Sequence, residues 1–339
     1  MTSGGRACDQ AFGESGSPAT GPRPVVASRS LRILLVVNSF ASSVTARNTV
    51  VIHRELSREH DVTVVETNRR GHATRFAQDA ATRGLDVVIG FGGDGTLNEV
   101  ATGIAGTDAA LGVLPGGSTN VFARTIGLPN DPVAAVKLLV AALREERAIR
   151  PIGLGKVNGR YFCFHTGVGY DAAVVRAVER RAALKRWAGH PLFISAALTT
   201  WAVGYDRKHA HFAVNFPRRQ DSIDDGYFTI VLNTNPYTYL GNRPLDLSPA
   251  ATLDRGLVAV TFRTMRARAI LSGLGGALRG GGVKPNRFLS AETDLTAFTI
   301  EHDEPFPYQV DGDYLGETTR LEFQHVPDAV RLVDPSVAA

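Results

Sequence analysis

The stretch Asp86-Val87-Val88-Ile89-Gly90-Phe91-Gly92-Gly93-Asp94-Gly95-Thr96-Leu97-Asn98-Glu99 reads as strand, glycine turn and helix start in immediate succession. Asp86–Phe91 is an apolar run of the kind buried on both faces of a parallel sheet. The glycines then break it, and Gly95–Ile104 reads as a helix. That order is the repeating unit of a doubly wound α/β sheet, where ligands bind beyond the carboxyl ends of strands. Closely spaced glycines let main chain approach phosphate oxygens, and a helix N-terminus adds partial positive charge.

The same rhythm extends to both sides. Leu31–Asn38 predicts a first buried strand, Val44–His60 a helix, Asp61–Thr67 a second strand and Ala73–Arg83 a second helix. Leu111–Leu114 predicts a fourth strand, which turns through Pro115-Gly116-Gly117 into another helical stretch. Residues 31–152 are therefore expected to form a nucleotide-binding α/β domain. The pattern then changes. Lys156–His165 predicts a hairpin around Asn158-Gly159, and Val174–Leu198 a basic helix. His209–Phe216, Tyr227–Asn233, Leu257–Arg263, Leu295–Glu301 and Tyr308–Val310 are short strand-like runs separated by turn residues. Residues 153–317 are expected to form an antiparallel β-sandwich domain, with the segment from about 318 to 336, including Arg320–His325, returning to the first domain.

Gly90, Gly92 and Gly95 spell the spacing of a dinucleotide fingerprint. Two features argue against that use. The fingerprint follows the first strand of its unit, whereas this turn follows the third. Asp94 also places a carboxylate inside the phosphate cradle, where pyrophosphate binding gains nothing from it. A site that transfers a phosphoryl group can use that charge, to anchor magnesium or to accept the proton of an attacking hydroxyl. The plainer alternative is a tight turn whose Asp caps the next helix. The second turn, Leu114-Pro115-Gly116-Gly117-Ser118-Thr119-Asn120, repeats the strand-to-helix context one strand later and suggests a shared ligand.

With these two turns the chain resembles the diacylglycerol kinase catalytic-domain family, lipid kinases that include bacterial diacylglycerol kinases and sphingosine and ceramide kinases. Gly92–Val100 (GGDGTLNEV) matches the family's most specific motif, and Leu114–Arg124 (LPGGSTNVFAR) looks like its second loop. The resemblance implies an N-terminal domain like that of NAD kinases and phosphofructokinases, a C-terminal β-sandwich, and ATP and Mg²⁺ in the cleft between them. It implies ATP contacts from Gly92, Gly93, Gly95, Thr96, Asn98 and Glu99 of the first motif, and from Gly117, Ser118 and Asn120 of the second loop. Asn38 and Thr67, which follow the first two strands, are implied as further nucleotide contacts. Asp94 is implied as a catalytic residue and magnesium anchor, and Asp313 of Asp311-Gly312-Asp313 as a second catalytic acid, one carbon shorter than the family's Glu. Ser39 replaces the family's Pro after Asn38, and Val121 replaces an Asp of the second loop. The family's structural-magnesium segment reads Leu253-Asp254-Arg255-Gly256-Leu257 here. Arg255 puts a cation where a carboxylate belongs, so that metal site is expected to be absent or replaced by the guanidinium.

Composition narrows the alternatives. The chain has 339 residues, 35 of them Gly, and a net charge of +4, too small to mark a nucleic-acid binder. Its two cysteines, Cys8 and Cys163, form no CxxC pair, which fits a reducing compartment. Residues 1–30 read as a disordered leader without the apolar core of a secretory signal. Arg176–His190 holds Arg176, Arg180, Arg181, Lys185 and Arg186 against one acid, and Trp187, Phe193 and Trp201 lie nearby. That pairing suits docking on an anionic membrane surface, and equally a solvated helix face. The expected partners are thus a lipid substrate, an anionic membrane and a second copy of the chain, at a cytoplasmic, peripherally membrane-associated location. His209 and His211, expected to share a strand face, lack a third metal ligand, and Asp224-Asp225-Gly226 reads as a hairpin turn. A soluble kinase of the NAD kinase type and a non-catalytic nucleotide or lipid sensor are the competing functions.

Overall fold

The computed structural model of the chain describes residues 29–180, 189–217 and 221–338. Its first half is β1 (Arg32–Val37), α1 (Ala46–Leu56), β2 (Asp61–Glu66), α2 (His72–Thr82), β3 (Val87–Gly92), α3 (Asp94–Ile104), β4 (Ala110–Pro115), the short α4 (Val121–Thr125) and α5 (Pro132–Leu143). The four strands run parallel in the order β4-β3-β1-β2. β3 and β4 are buried throughout, as their apolar runs require, whereas the edge strand β2 is largely exposed. Local chemistry starts the helices. Thr45 Oγ1 accepts from Asn48 N at 3.1 Å ahead of α1. Asp131 Oδ1 accepts from Ala134 N at 2.7 Å ahead of α5, where Pro132 occupies a position that needs no N–H. α1 packs on α5 and α2 on α3, a helical pair for each face of the sheet.

The second half follows a 3₁₀ turn at Glu146–Ala148. Its elements are β5 (Ile149–Val157), β6 (Arg160–Phe162), β7 (His165–Gly169), α6 (Tyr170–Glu179), α7 (Gly189–Thr199), β8 (Phe212–Phe216), β9 (Asp221–Gly226), β10 (Phe228–Leu232), β11 (Thr238–Leu240), β12 (Arg243–Leu245), β13 (Leu257–Phe262), α8 (Ala267–Leu278), β14 (Leu289–Leu295), β15 (Ala297–Val310), β16 (Asp313–Val333) and α9 (Pro335–Ala338). β14-β13-β10-β7 form one antiparallel layer. β15 joins it through Tyr308–Val310, yet pairs β8 through Thr299–Glu301, after a register shift between Glu301 and Phe306. That irregularity carries β15 from one layer to the other. Between the layers Phe298 stacks on Phe323 at 4.7 Å, and Phe212 and Phe306 meet at 5.3 Å. On the outer face of β10 and β13, Phe228 stacks on Phe262 at 4.2 Å beneath α8.

The two halves share one sheet. β16 pairs antiparallel with β15 at its start, then with β5, and parallel with β4 through Arg331 and Leu332 at its end. The Asn158-Gly159 hairpin is present: Val157 pairs with Arg160, and the turn residues have φ of 45° and 85°. Other local expectations change. Asp224-Asp225-Gly226 lies within β9, where Asp225 Oδ1 receives Arg263 Nε at 2.6 Å, so cross-strand pairing overrides the turn signal. His209 and His211 precede β8, and both are held by Asp206 at 2.8 Å. The helix expected over Val174–Leu198 corresponds to α6 and α7, with residues 181–188 outside the described residues. The leader expected over residues 1–30 likewise falls outside them up to residue 28. No helix among the described residues is long and apolar enough to cross a membrane.

Candidate functional site

The two glycine turns meet at the carboxyl ends of β3 and β4. Gly116 N donates to Gly92 O at 2.7 Å. The main chains are so close that a Cβ on Gly116 would lie 2.7 Å from Gly92 Cα, and one on Gly117 2.9 Å from Gly93 Cα. Part of the glycine signal therefore serves turn-on-turn packing. Gly93 and Gly95 differ: their Cβ positions meet nothing nearer than 3.6 and 3.8 Å. Both line a cleft of about 490 Å³, within the usual range for small-ligand sites.

The other walls come from every strand end nearby. Asn38 and Phe40 follow β1, and Thr67, Arg69 and Arg70 follow β2. Thr96 and Glu99 come from α3, Gly117 and Ser118 from the second turn, and Asp313 from the start of β16. Asn38 Nδ2 donates to Thr96 Oγ1 at 2.9 Å, and its Oδ1 accepts from Phe40 N at 3.2 Å, so the turn after β1 closes without the family's proline. Glu99 faces the cleft while its oxygens accept from Gly71 N at 2.8 Å and Ala73 N at 3.1 Å, holding the start of α2. Asp313 stands opposite α3: a methyl on Gly95 would lie 3.8 Å from its Oδ2. Arg70 Nη2 is 3.3 Å and Arg160 Nη2 3.8 Å from the same carboxylate.

Four expected site residues lie outside the cleft lining. Asp94 does not line the cleft. Its Oδ2 accepts from Val121 N at 3.1 Å and its Oδ1 from Phe122 N at 3.2 Å, so it caps α4 and ties the first turn to the second. Burial pushes its pKa up, against those two N–H groups. It does act as a helix cap, though for α4 and not for the helix it begins. Asn98 is buried and donates to Tyr161 O at 2.9 Å and Asp311 Oδ2 at 2.8 Å. Asn120, at φ 48°, closes the second turn through Gly117 N and Gly117 O, both at 2.8 Å. Gly92 lies behind the cleft wall, against Gly116 and Thr96.

Asp311, Arg69, Arg70 and Phe40 escaped the sequence reading. The Asp311-Gly312 dipeptide is the signal for the first: Asp311 takes φ 47°, and its carboxylate accepts from Cys163 N at 2.7 Å and from Phe164 N and His165 N at 3.0 Å. Burial raises its pKa to about 6, while these N–H groups and Asn98 hold it down. This buried hub fixes the turn that presents Asp313. Asp254 is paired with Arg150 Nη1 at 2.6 Å, so a guanidinium does lie there, from Arg150 and not from Arg255. Among the described residues no three His, Cys, Asp or Glu side chains converge as a metal cluster. Of the expected docking cations, Arg176 is paired with Glu317 at 2.8 Å, Arg180 is exposed at the end of α6, and Arg181, Lys185 and Arg186 lie outside the described residues.

Comparison with known proteins bears on the family and the fold. The model of the diacylglycerol kinase catalytic domain matches residues 32–157. The chain is 30% identical over 308 residues to a Pseudomonas aeruginosa protein named probable lipid kinase YegS-like, covering 90% of this chain and 95% of that one. It is 44% identical over 105 residues to the diacylglycerol kinase of Bacillus subtilis, covering 30% of this chain and 33% of that one. A diacylglycerol kinase structure from Bacillus anthracis superposes with a TM-score of 0.65 at 21% identity, covering 91% of this chain and 98% of that one.

Proposed function

The chain belongs to the diacylglycerol kinase catalytic-domain family, and on that premise we propose that it transfers the γ-phosphate of ATP to a lipid hydroxyl, with diacylglycerol as acceptor and phosphatidic acid as product. The observation that carries this reading is Asp313, a carboxylate that lines the cleft beside Gly95, with Arg70 and Arg160 next to it. Gly93, Gly95, Gly117 and Ser118 would receive the phosphates on main-chain N–H groups, with Asn38, Thr67 and Thr96 beside them. Arg69 and Arg70 add positive charge, and the Phe40 ring, 71% exposed at the rim, suits a nucleobase.

Magnesium fits this donor set through Asp313, because an ion held mainly by phosphate oxygens needs only one or two carboxylates. When bound it would neutralise charge on the transferring phosphoryl group. Asp313 would orient the acceptor hydroxyl and take its proton as the new O–P bond forms and the bond to ADP breaks. Asp94, Asn98, Glu99 and Asn120 act through position: they lock the two turns, α2 and the Asp311 hub around the cleft. A cytoplasmic location at the membrane surface belongs to the same proposal, since ATP and a bilayer lipid meet there.

The test is incubation with labelled ATP, magnesium and detergent micelles carrying diacylglycerol, sphingosine, undecaprenol or NAD separately. Labelled phosphatidic acid is the expected product. Labelled NADP, or no labelled product at all, would refute the reading. Asp313→Asn should lower turnover by about 10²-fold or more with an unchanged melting temperature; a variant with near-full activity would remove Asp313 from the chemistry.

A further inference from the structure

Helix α8 is oriented against the usual rule. It packs on β10 and β13 with its small residues: Gly273 and Ala277 are buried, and a Cβ on Gly273 would lie 3.1 Å from the Phe262 ring. Its leucines face outward, with Leu271 64%, Leu274 38% and Leu278 39% exposed at helical spacing. A helix that serves only a core buries such residues. The same side of the β10–β13 layer carries α7 and the π-helical turn Thr200–Gly204, where Ile194, Leu198 and Val203 are exposed. Trp201 links the two regions, since its Nε1 donates to Met265 O at 3.2 Å and its ring packs into the cluster beneath α8.

Helix α8 and its flanking turns carry charge of one sign, with Asp246 meeting them at Gly280, where a Cβ would lie 3.4 Å from its Oδ2. From residue 263 to residue 287 the chain has Arg263, Arg266, Arg268, Arg279, Lys284 and Arg287 and no Asp or Glu. Arg263 is paired with Asp225. The other five are exposed and make no ion pair with a described carboxylate. This local excess is larger than the net charge of the whole chain.

We propose that the outer face of α8, continued by α7, docks on an anionic lipid bilayer, with Leu271, Leu274 and Leu278 entering the headgroup boundary and the five cations meeting lipid phosphates. An amphipathic surface with leucines on one side and Arg or Lys around it is what interfacial binding requires. A second copy of the chain fits poorly, because a symmetric contact would bring the two cation sets together. Nucleic acid would have no use for the leucines. The proposal gives the lipid-kinase reading a docking surface, and it is tested by binding without nucleotide, so either can fail alone.

The experiment is vesicle flotation of the full chain at low and high salt, on phosphatidylcholine vesicles with and without phosphatidylglycerol. The unaltered protein should float with the anionic vesicles, and less so at high salt. Leu271→Glu with Leu274→Glu, and separately Arg268→Glu with Arg279→Glu, should each weaken binding by about tenfold or more. The same charge change on α1, Arg47→Glu with Arg54→Glu, should leave binding unchanged. All variants should keep their melting temperatures and their turnover on a detergent-dispersed acceptor. No flotation of the unaltered protein, equal flotation on neutral vesicles, or equal loss in the α1 variant would overturn the proposal. So would binding of a nucleic-acid duplex that the arginine pair abolishes and the leucine pair spares, or a dimer that the leucine pair dissociates without vesicle binding.

Discussion

Both oxygens of Asp94 accept main-chain N–H groups at the start of α4. An Asn there can accept with only one oxygen, and its amide would face the other N–H group. Asp94→Asn is therefore expected to cost about 1–3 kcal/mol of stability as well as activity, read as a lower midpoint in urea; an unchanged midpoint would contradict the capping role. The Gly92–Val100 motif was legible as a turn, but the partner of Asp94 was not, because the contact joins two turns that only the sheet brings together. Asp311 was hidden for the same reason: its donors lie on the segment from Cys163 to His165. His165 supplies a pH test. It is buried between Phe164 and Tyr237, and burial lowers its pKa from 6.5 to about 3. The unfolded chain binds the proton more tightly. Its contribution is thus complete above pH 6.5 and lost as pH falls toward 3, by up to about 4 kcal/mol. His165→Phe should flatten the acid limb of a plot of stability against pH, and an unaltered limb would assign that loss to other groups.

At the scale of elements, β5 and the end of β16 are clamped by one arginine. Arg150 Nε bonds Asp334 Oδ2 at 2.8 Å, and its Nη1 bonds Asp254 Oδ1 at 2.6 Å. The first carboxylate is 3% exposed and the second 66%, so the two pairs should differ in worth. Arg150→Ala is expected to destabilise by about 1–3 kcal/mol, mainly by stranding Asp334, and Asp254→Ala by no more than about 0.5 kcal/mol. Equal losses in thermal melts would show that Asp254 does more than pair at the surface. β1, β3 and β4 were readable because burial on both faces leaves unbroken apolar runs. β15 and β16 were seen only in pieces, since each is long, changes layer and exposes polar residues along part of its length. α8 was missed because glycines interrupt its sequence and its leucines face away from the core.

For the molecule as a whole, the shared sheet makes separate unfolding of the halves costly. β16 pairs with β15 near one end and β4 at the other, so neither sheet region can open without exposing the strand. Both tryptophans, Trp187 and Trp201, lie after β7 in sequence, whereas helices α1 to α5 all lie before β5. Tryptophan fluorescence and far-ultraviolet circular dichroism should therefore give the same denaturant midpoint; two separated midpoints would mean independent halves. The strand also sets a length. Between Val326 and Val330 its pairing with β5 loses register, and Asp328 takes a φ of 49°. Each strand residue advances about 3.3 Å and reverses the side-chain face. The irregularity thus works like a spacer of fixed thickness in a caliper: one end is clamped on β4, the other carries Asp313, and the residue count between them gauges the gap to Gly95.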